Sequence, residues 1–484
     1  MQLTPNGRRE DNTDESRRRL LTAALTAPLL TAAGLTSSCA HVEPAVTSSS
    51  RRKLIKGGYV ATFQRGAHDT PDGDVLIDGN SIVAIGRNLP ASDAEVIDAT
   101  DMVVMPGFVD THRHTWQTSL RGYVATGNYF QIVLTQLGPL FTADDVYAGN
   151  LLGAIGALDS GVTTLVDWSH IMNTPAHADA AIDALRESGI RAVFAHGVAQ
   201  IGRSAGASGQ PNVQKHSDDI RRVQRQYFGS DDQLLTLALA FGGVEFSSLE
   251  ETINDVRMAR EMGIRLTTHV GVIPNAQAVT RMRSSGLLGP DITYIHASSC
   301  SNDEIKMIAD SGGSLSISPV NELLPGLQSW LKHGLRPSLS LDTEVFSPAD
   351  LFTQMRALYW HEKNRESQNP DRAQFTPRDI LEFATVEGAR ATGLERKVGT
   401  LAVGKRADVI LIRRSSVRLL PMTGDPLYRI AMMANSSDVE WVIVDGKVRK
   451  RAGRLVDVDL SRLNSLAEAS RQRLLSDAKL PEQS

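Results

Sequence analysis

The sequence predicts an α/β fold: a (β/α)8 TIM barrel joined to a small β-sandwich built from both ends of the chain. Two observations predict it. Between Pro106 and about Glu395, apolar runs ending in small or polar residues recur eight times, with helix-like segments between them. Alternating strands and helices imply a parallel sheet, and eight such units imply a closed barrel. The flanks of this region have another texture, of short strands with Gly-containing turns.

The first forty residues differ from all that follows. "ESRRRLLTAALTAPLLTAAGLTSSCA" has a basic cluster, then an apolar run rich in Ala, Leu and Thr, then small residues. That is the layout of an export signal, with Arg17 and Arg18 as a twin-arginine pair. Pro28 and Gly34 interrupt a run already too short to span a membrane. Cleavage near Ala40 and lipidation of Cys39 are alternatives, the second weakened by the absence of an apolar residue three before the cysteine. The expectation is an exported protein, periplasmic or extracellular, with a lipid anchor at Cys39 as the variant reading. A Ser-rich linker occupies 41–53.

Residues 54–105 read as strands. In "GDVLIDGNSIVAIG" apolar runs flank Asp78-Gly79-Asn80, a hairpin signal because Gly and Asn accept positive φ. The texture returns over 396–456 in "GTLAVGKRADVILI" and "VEWVIVDGKVRKRAG", so both ends are expected to share one β-domain. In the barrel region, 106–395, "HADAAIDALRESG" and "LEETINDVRMAREMG" each close on Gly, a helix-stop signal. In 457–484, Leu460, Leu463, Leu466, Ser470 and Leu474 fall near helical spacing, as in a packing helix or a face for a homo-oligomer. Met355 and Trp360 read as the core of a helix after the eighth strand.

Composition narrows the function. A chain of 484 residues with 41% hydrophobic content can bury a large core, and a net charge of −4 with dispersed Lys and Arg gives no footprint for nucleic acid. A small-molecule substrate is the expected partner. Two cysteines, Cys39 and Cys300, make no disulfide framework.

The chemistry lies at the strand ends. In "GFVDTHRHTWQ", His112 and His114 are two residues apart, so on a strand both point to one face while Arg113 points to the other. The fifth strand ends at His269, the sixth at His296 and the eighth at Asp342. In a barrel these tips converge on one mouth, and such a set of four of the twelve histidines plus one aspartate has the composition of a mononuclear zinc or iron site.

From about Leu54 to Val456 the chain resembles the amidohydrolase superfamily, in particular its cytosine deaminase-like and triazine hydrolase-like branch. The resemblance rests on "PGFVDTHRH", the "THV" and "IHA" strand ends, "LDT" after "GLRPSLS", and "VGTLAVGKRADVILI". It implies His112, His114, His269 and Asp342 as metal ligands, with His296 orienting water or substrate. It implies one divalent ion, zinc before iron or manganese. Such an ion lowers the pKa of its water from about 16 towards about 7. Asp342 would then act as proton carrier to the leaving nitrogen. The fourth strand, "LALAFGGVE", offers no lysine for a second metal.

One departure bears on the substrate. Deaminases of this branch usually carry a Glu three residues after the fifth-strand histidine, where this chain has Val272. That weakens heterocycle deamination without excluding it, and Glu322 or Glu344 could serve instead. Trp116 and Gln117 are candidate substrate contacts, with packing as the alternative for Trp116. His170 and His196 also sit at strand ends facing the site, or else support it. The leading expectation is metal-dependent hydrolysis of a C–N bond (amide, cyclic amide or activated amine) in a small planar or cyclic molecule. The second is an aminohydrolase of a nitrogen heterocycle, and the third a non-catalytic metal-containing binding protein.

Overall fold

The apolar run "MVVMPGFVDTHRH" is two strands in different sheets. Met102–Pro106 pairs with residues from both ends of the chain, at Tyr59 and Val60 and along Val409–Arg413. After Gly107, Phe108–Arg113 opens the barrel. A Cβ on Gly107 would lie 2.6 Å from the Cβ of Thr163, so only glycine lets the chain pass the neighbouring strand at this hand-over. Gly107→Ala is therefore expected to cost about 1–3 kcal/mol of stability by overpacking. Denaturant unfolding measures it, and an unchanged midpoint would show that Thr163 yields freely.

The computed structural model describes residues 52–90, 92–124, 128–198, 213–322, 327–366 and 376–482. The segment read as an export signal, with Cys39, and almost all of the linker lie outside the described residues. The strand expected from Leu54 begins two residues earlier, at Arg52.

Eight parallel strands form the barrel: β1 Phe108–Arg113, β2 Val162–Ser169, β3 Arg191–His196, β4 Leu235–Ala240, β5 Arg265–Val270, β6 Ile292–His296, β7 Ser314–Ile317 and β8 Ser338–Leu339. Sequential strands pair throughout, and a parallel bridge between Arg113 and Asp342 closes the ring. There the Asp342 N–H donates to the His112 carbonyl at 2.9 Å, and the His114 N–H donates to the Asp342 carbonyl at 2.7 Å. The eighth strand is thus only two residues long, and Asp342 is locked beside the histidine pair by backbone hydrogen bonds. The expected stop signals hold: Pro175–Ser188 ends at Gly189 and Leu249–Met262 at Gly263, both with φ of 68°.

Both chain ends contribute to one nine-stranded sheet. Its period-2 alternation serves two cores at once. Val103, Met105, Ile410, Ile412, Val442 and Val444 join the barrel core, whereas Val104, Val409, Leu411 and Ile443 join a second core with Ile55, Val75 and Ile77. The Gly79-Asn80 and Asp445-Gly446 hairpin turns are both present. The barrel and this sheet form one compact unit over 49–484.

The C-terminal helix, Leu460–Ala478, packs within its own chain against the helix Ala143–Asp159, and Arg473 pairs with Asp145. Leu463, Ser470 and Leu474 are buried as the spacing predicted, but Leu460 is exposed. Met355 is buried as expected, whereas Trp360 on the same helix, Leu351–Glu366, is exposed. Among the described residues, no helix is long and apolar enough to cross a membrane.

Candidate active site

His112 and His114 project from the end of β1, His269 from β5 and His296 from β6, and Asp342 follows β8. The His112 and His269 Nε2 atoms are 3.3 Å apart. His112 Nε2 and His114 Nε2 each lie 3.4 Å from Asp342 Oδ1. Neighbouring donors about 3.3–3.4 Å apart suit a zinc ion bound at about 2.0–2.1 Å, and the donors fall into two sets that share His112, namely His112, His114 and Asp342, and His112, His269 and His296, each with its ligand atoms within 4.8 Å of one another. The donor chemistry fits as well. Burial holds His112, His114 and His269 below the ordinary imidazole range, so all three favour the neutral, ligating form. His114 Nδ1 is 3.1 Å from the Trp168 carbonyl, which takes its N–H and leaves Nε2 free for a cation. Burial pushes the Asp342 carboxyl up, but the hydrogen bond from His112 and the facing His296 and His114 hold it well below the usual range. Three neutral imidazoles and one carboxylate can hold a divalent metal ion.

The opening of the site lies beside Asp342 and His296, whose side chains are 14% and 13% exposed, while His112 is sealed at 0%. Both open residues stand in a left-handed backbone conformation, with φ of 70° at Asp342 and 73° at His296, and Ala297 follows at 54°. Residues without glycine's freedom hold such angles only where the surroundings dictate them, and such strain gathers at functional sites. His296 Nδ1 meets Glu322 Oε1 at 2.7 Å, and the same oxygen accepts the Ser318 N–H at 2.6 Å. Burial works against the charged form of His296, but Glu322 outweighs it and draws the imidazole up. Burial likewise raises Glu322, against the pull of His296.

Arg113, on the opposite face of β1, is fully buried and pairs with Asp110, at 3.3 Å, and with Glu344. Glu344 also holds Arg121. This corrects the reading of Glu344 as a spare proton donor, because its carboxylate is taken up inside the barrel rim between two guanidinium groups. Arg113→Met leaves Asp110 buried without its ion-pair partner and is expected to cost about 3–5 kcal/mol. Equilibrium unfolding in urea measures that loss, and one below about 1 kcal/mol would show that the rim does not depend on the pair.

The other residues singled out from the sequence are placed as follows. Trp116 and Gln117 lie on the short 3-10 helix Thr115–Leu120, every residue of which is buried. Trp116 stands edge-on to Phe141 and His170, at 4.7 Å and 5.3 Å between ring centres. Gln117 donates to the Tyr129 hydroxyl at 2.7 Å and accepts from Thr343 at 2.6 Å. Both side chains are enclosed in this structure. His170 is packed 4.3 Å from the His114 ring, and burial lowers it to about 3. His196 Nε2 turns away to Asp219, 2.8 Å distant on the helix Val213–Tyr227. Glu322 joins the site through His296. Val272 gives its N–H to Glu245, which also accepts the N–H groups of Gly271 and Ile273 and so fixes the loop after His269.

Three contributors went unrecognised in the sequence. Trp168, fully buried, sets its ring 4.2 Å from His269 and 5.4 Å from His114, a floor under the cluster. It precedes His170 by two residues, so the same alternation that selected the histidine could have found it. Asn321 donates to Asp342 Oδ2 at 3.3 Å. Tyr129, held by Gln117, has its hydroxyl raised by burial and by the Asp342 charge. Neither had a sequence signal beyond its type.

Comparison with known proteins bears on the family and the fold. A sequence model described as "Amidohydrolase family" matches residues 103–449. The 5'-deoxyadenosine deaminase of Methanosarcina mazei is 28% identical over 448 residues, covering 87% of this chain and 98% of that protein. The 5-methylthioadenosine/S-adenosylhomocysteine deaminase of Symbiobacterium thermophilum is 28% identical over 427 residues, 82% of this chain and 93% of that one. Among solved structures, the zinc complex of atrazine chlorohydrolase from Arthrobacter aurescens aligns with a TM-score of 0.79 at 22% identity, over 87% of this chain and 100% of that one. A zinc-bound adenosine deaminase from Xanthomonas campestris aligns at 0.75 and 20% identity, over 88% and 98%. At these identities the structural likeness speaks for the fold.

Proposed function

The chain belongs to the amidohydrolase family, and on that premise we propose that its barrel mouth is a mononuclear, zinc-first metal centre that hydrolyses a C–N bond of a small planar or cyclic molecule. The observation that carries the proposal is the meeting of two donor sets at His112, one with His114 and Asp342 and the other with His269 and His296. His112, His114, His269 and Asp342 would hold the ion. When bound, a divalent ion there makes hydroxide available near neutral pH and polarises the scissile group. Asp342 accepts the proton that the attacking water gives up and delivers it to the departing nitrogen, with Oδ2 steadied by Asn321. His296, at the open side, meets the substrate. Gln117, Trp116 and His170 keep the wall behind the cluster rigid.

A second reading within this class, an aminohydrolase of a nitrogen heterocycle, is favoured by the relatives, which are deaminases of adenosine derivatives. Ammonia release across a panel of aminated heterocycles and simple amides tests both. Turnover of some member by the zinc-loaded protein is expected. Inertness across the whole panel would contradict C–N hydrolysis, and strong turnover confined to heterocyclic amines would rank the second reading first. For residues 1–40 we propose twin-arginine export, checked by the N-terminus of the mature protein recovered after secretion.

A further inference from the structure

We propose that Tyr129, Phe130 and Phe346 form a substrate subsite on the open side of the metal centre, where the Tyr129 hydroxyl donates to an acceptor atom beside the scissile bond and the rings hold a flat apolar group. The ligand class is a planar molecule with a hydrogen-bond acceptor next to that bond and an aromatic or otherwise apolar substituent pointing outwards. The inference deepens the C–N hydrolase reading and rests on it for where the bond is broken.

A chain of hydrogen bonds sets the direction of the hydroxyl. The Val345 N–H donates to the Thr343 hydroxyl oxygen at 3.2 Å, and that hydroxyl donates to Gln117 Oε1 at 2.6 Å. The Gln117 amide N–H then donates to the Tyr129 oxygen at 2.7 Å. Tyr129 is thereby an acceptor towards the protein, and its own hydrogen has no acceptor among the described residues. A phenol carries one hydrogen to give, so this one is left for a bound molecule. The chain starts at Thr343, which follows Asp342, and the Asp342 charge reaches the Tyr129 hydroxyl. The donor therefore stands on the Asp342 side of the opening.

The rings around it are built and held in place. Tyr129 is half-buried and stands edge-on to Phe130 at 5.5 Å and to Phe346 at 5.8 Å between ring centres. Phe130 opens the π-helix Phe130–Leu137, which buries Val133, Leu134 and Leu137 while Phe130 stays 47% exposed. Such helices are rare and gather at functional sites. Phe346 is 39% exposed although Val345 before it is sealed, and the Val345 carbonyl accepts the Val124 N–H at 3.3 Å, tying the loop after Asp342 to the stretch that leads to Tyr129. Val320, also exposed, joins the same rim: Gln354 accepts its N–H at 3.0 Å and donates to the Ser347 hydroxyl at 3.3 Å. Large apolar side chains left in water side by side mark a place where something apolar binds. Aromatic walls suit a flat apolar group and offer a hydroxylated one, such as a sugar, no partner for its hydroxyls.

The test uses zinc-loaded protein and two probes, 4-fluoroacetanilide and N-ethyl-4-fluoroaniline, which share a ring and differ in whether a carbonyl oxygen stands beside the nitrogen. Fluorine NMR titration gives both dissociation constants, and released fluoroaniline shows as a separate signal. The wild type is expected to prefer the anilide by about five- to ten-fold, the contribution of one net hydrogen bond. Tyr129→Phe removes the hydroxyl alone, so the preference should shrink to within about twofold while affinity for the amine holds within about twofold. Phe346→Ala should weaken both probes about five-fold and leave their ratio as it was. Both variants should keep full zinc content. A preference that survives Tyr129→Phe overturns the hydroxyl's role, and unchanged affinities in Phe346→Ala overturn the apolar wall. Loss of zinc in either variant, or a wild type that binds neither probe, overturns the subsite altogether. A wild type that binds both probes with the expected preference yet turns over nothing in the amide and amine panel contradicts the hydrolase reading and leaves the subsite supported.

Discussion

Replacing Asp342 with Asn lowers kcat by at least about a thousand-fold while the protein keeps its fold. The side chain is nearly isosteric, and the bridge that closes the barrel runs through the Asp342 backbone, whose N–H and carbonyl bond to His112 and His114. What the variant loses is the carboxylate: Oδ1 is 3.4 Å from both His112 Nε2 and His114 Nε2, and Oδ2 is steadied by Asn321. Asparagine can neither neutralise a cation nor carry a proton at that atom. Unchanged far-ultraviolet dichroism with turnover at the limit of detection is the expected pair of results. Substantial residual turnover would remove Asp342 from the proton path.

His269→Ala goes further, because it removes one imidazole of the proposed ligand set instead of altering a charge. Metal affinity is expected to fall by at least about a hundred-fold, and activity with it. The cavity left beside Trp168 should add about 2–4 kcal/mol of destabilisation. Metal analysis after exhaustive dialysis, set against the wild type, measures the loss. Retained zinc at full occupancy would show that His296, whose ring stacks 5.1 Å from that of His269, ligates the ion in its place.

These predictions depend on residues that the sequence exposed unusually well. His112, His114, His269, His296 and Asp342 were legible because two simple rules act together. Side chains at i and i+2 on a strand share a face, and the strand ends of a barrel converge. The β-domain was legible from its Asp-Gly and Gly-Asn turns, which demand positive φ. The hand-over at Gly107 was not, because its cause is the proximity of Thr163, which lies 56 positions later in the chain.

The surroundings of the cluster resisted sequence reading for a similar reason. Trp116 and Gln117 directly follow the metal pair, which suggested substrate contact. The 3-10 helix Thr115–Leu120 instead buries them against Phe141, Tyr129 and Thr343. Such a helix is too short to announce itself by periodicity. Glu344 and Glu322 looked alike as loop carboxylates, yet one is locked between Arg113 and Arg121 and the other against His296. Only the folded chain tells which guanidinium or imidazole each one meets.

The central claim is a single catalytic ion held by His112, His114, His269 and Asp342. Its most direct test is a zinc titration of chelator-stripped protein, following turnover of whichever panel substrate the wild type hydrolyses. Activity absent at zero zinc, rising linearly and breaking at one equivalent per chain is the predicted result. Full activity without metal, or a break at two equivalents, would contradict it.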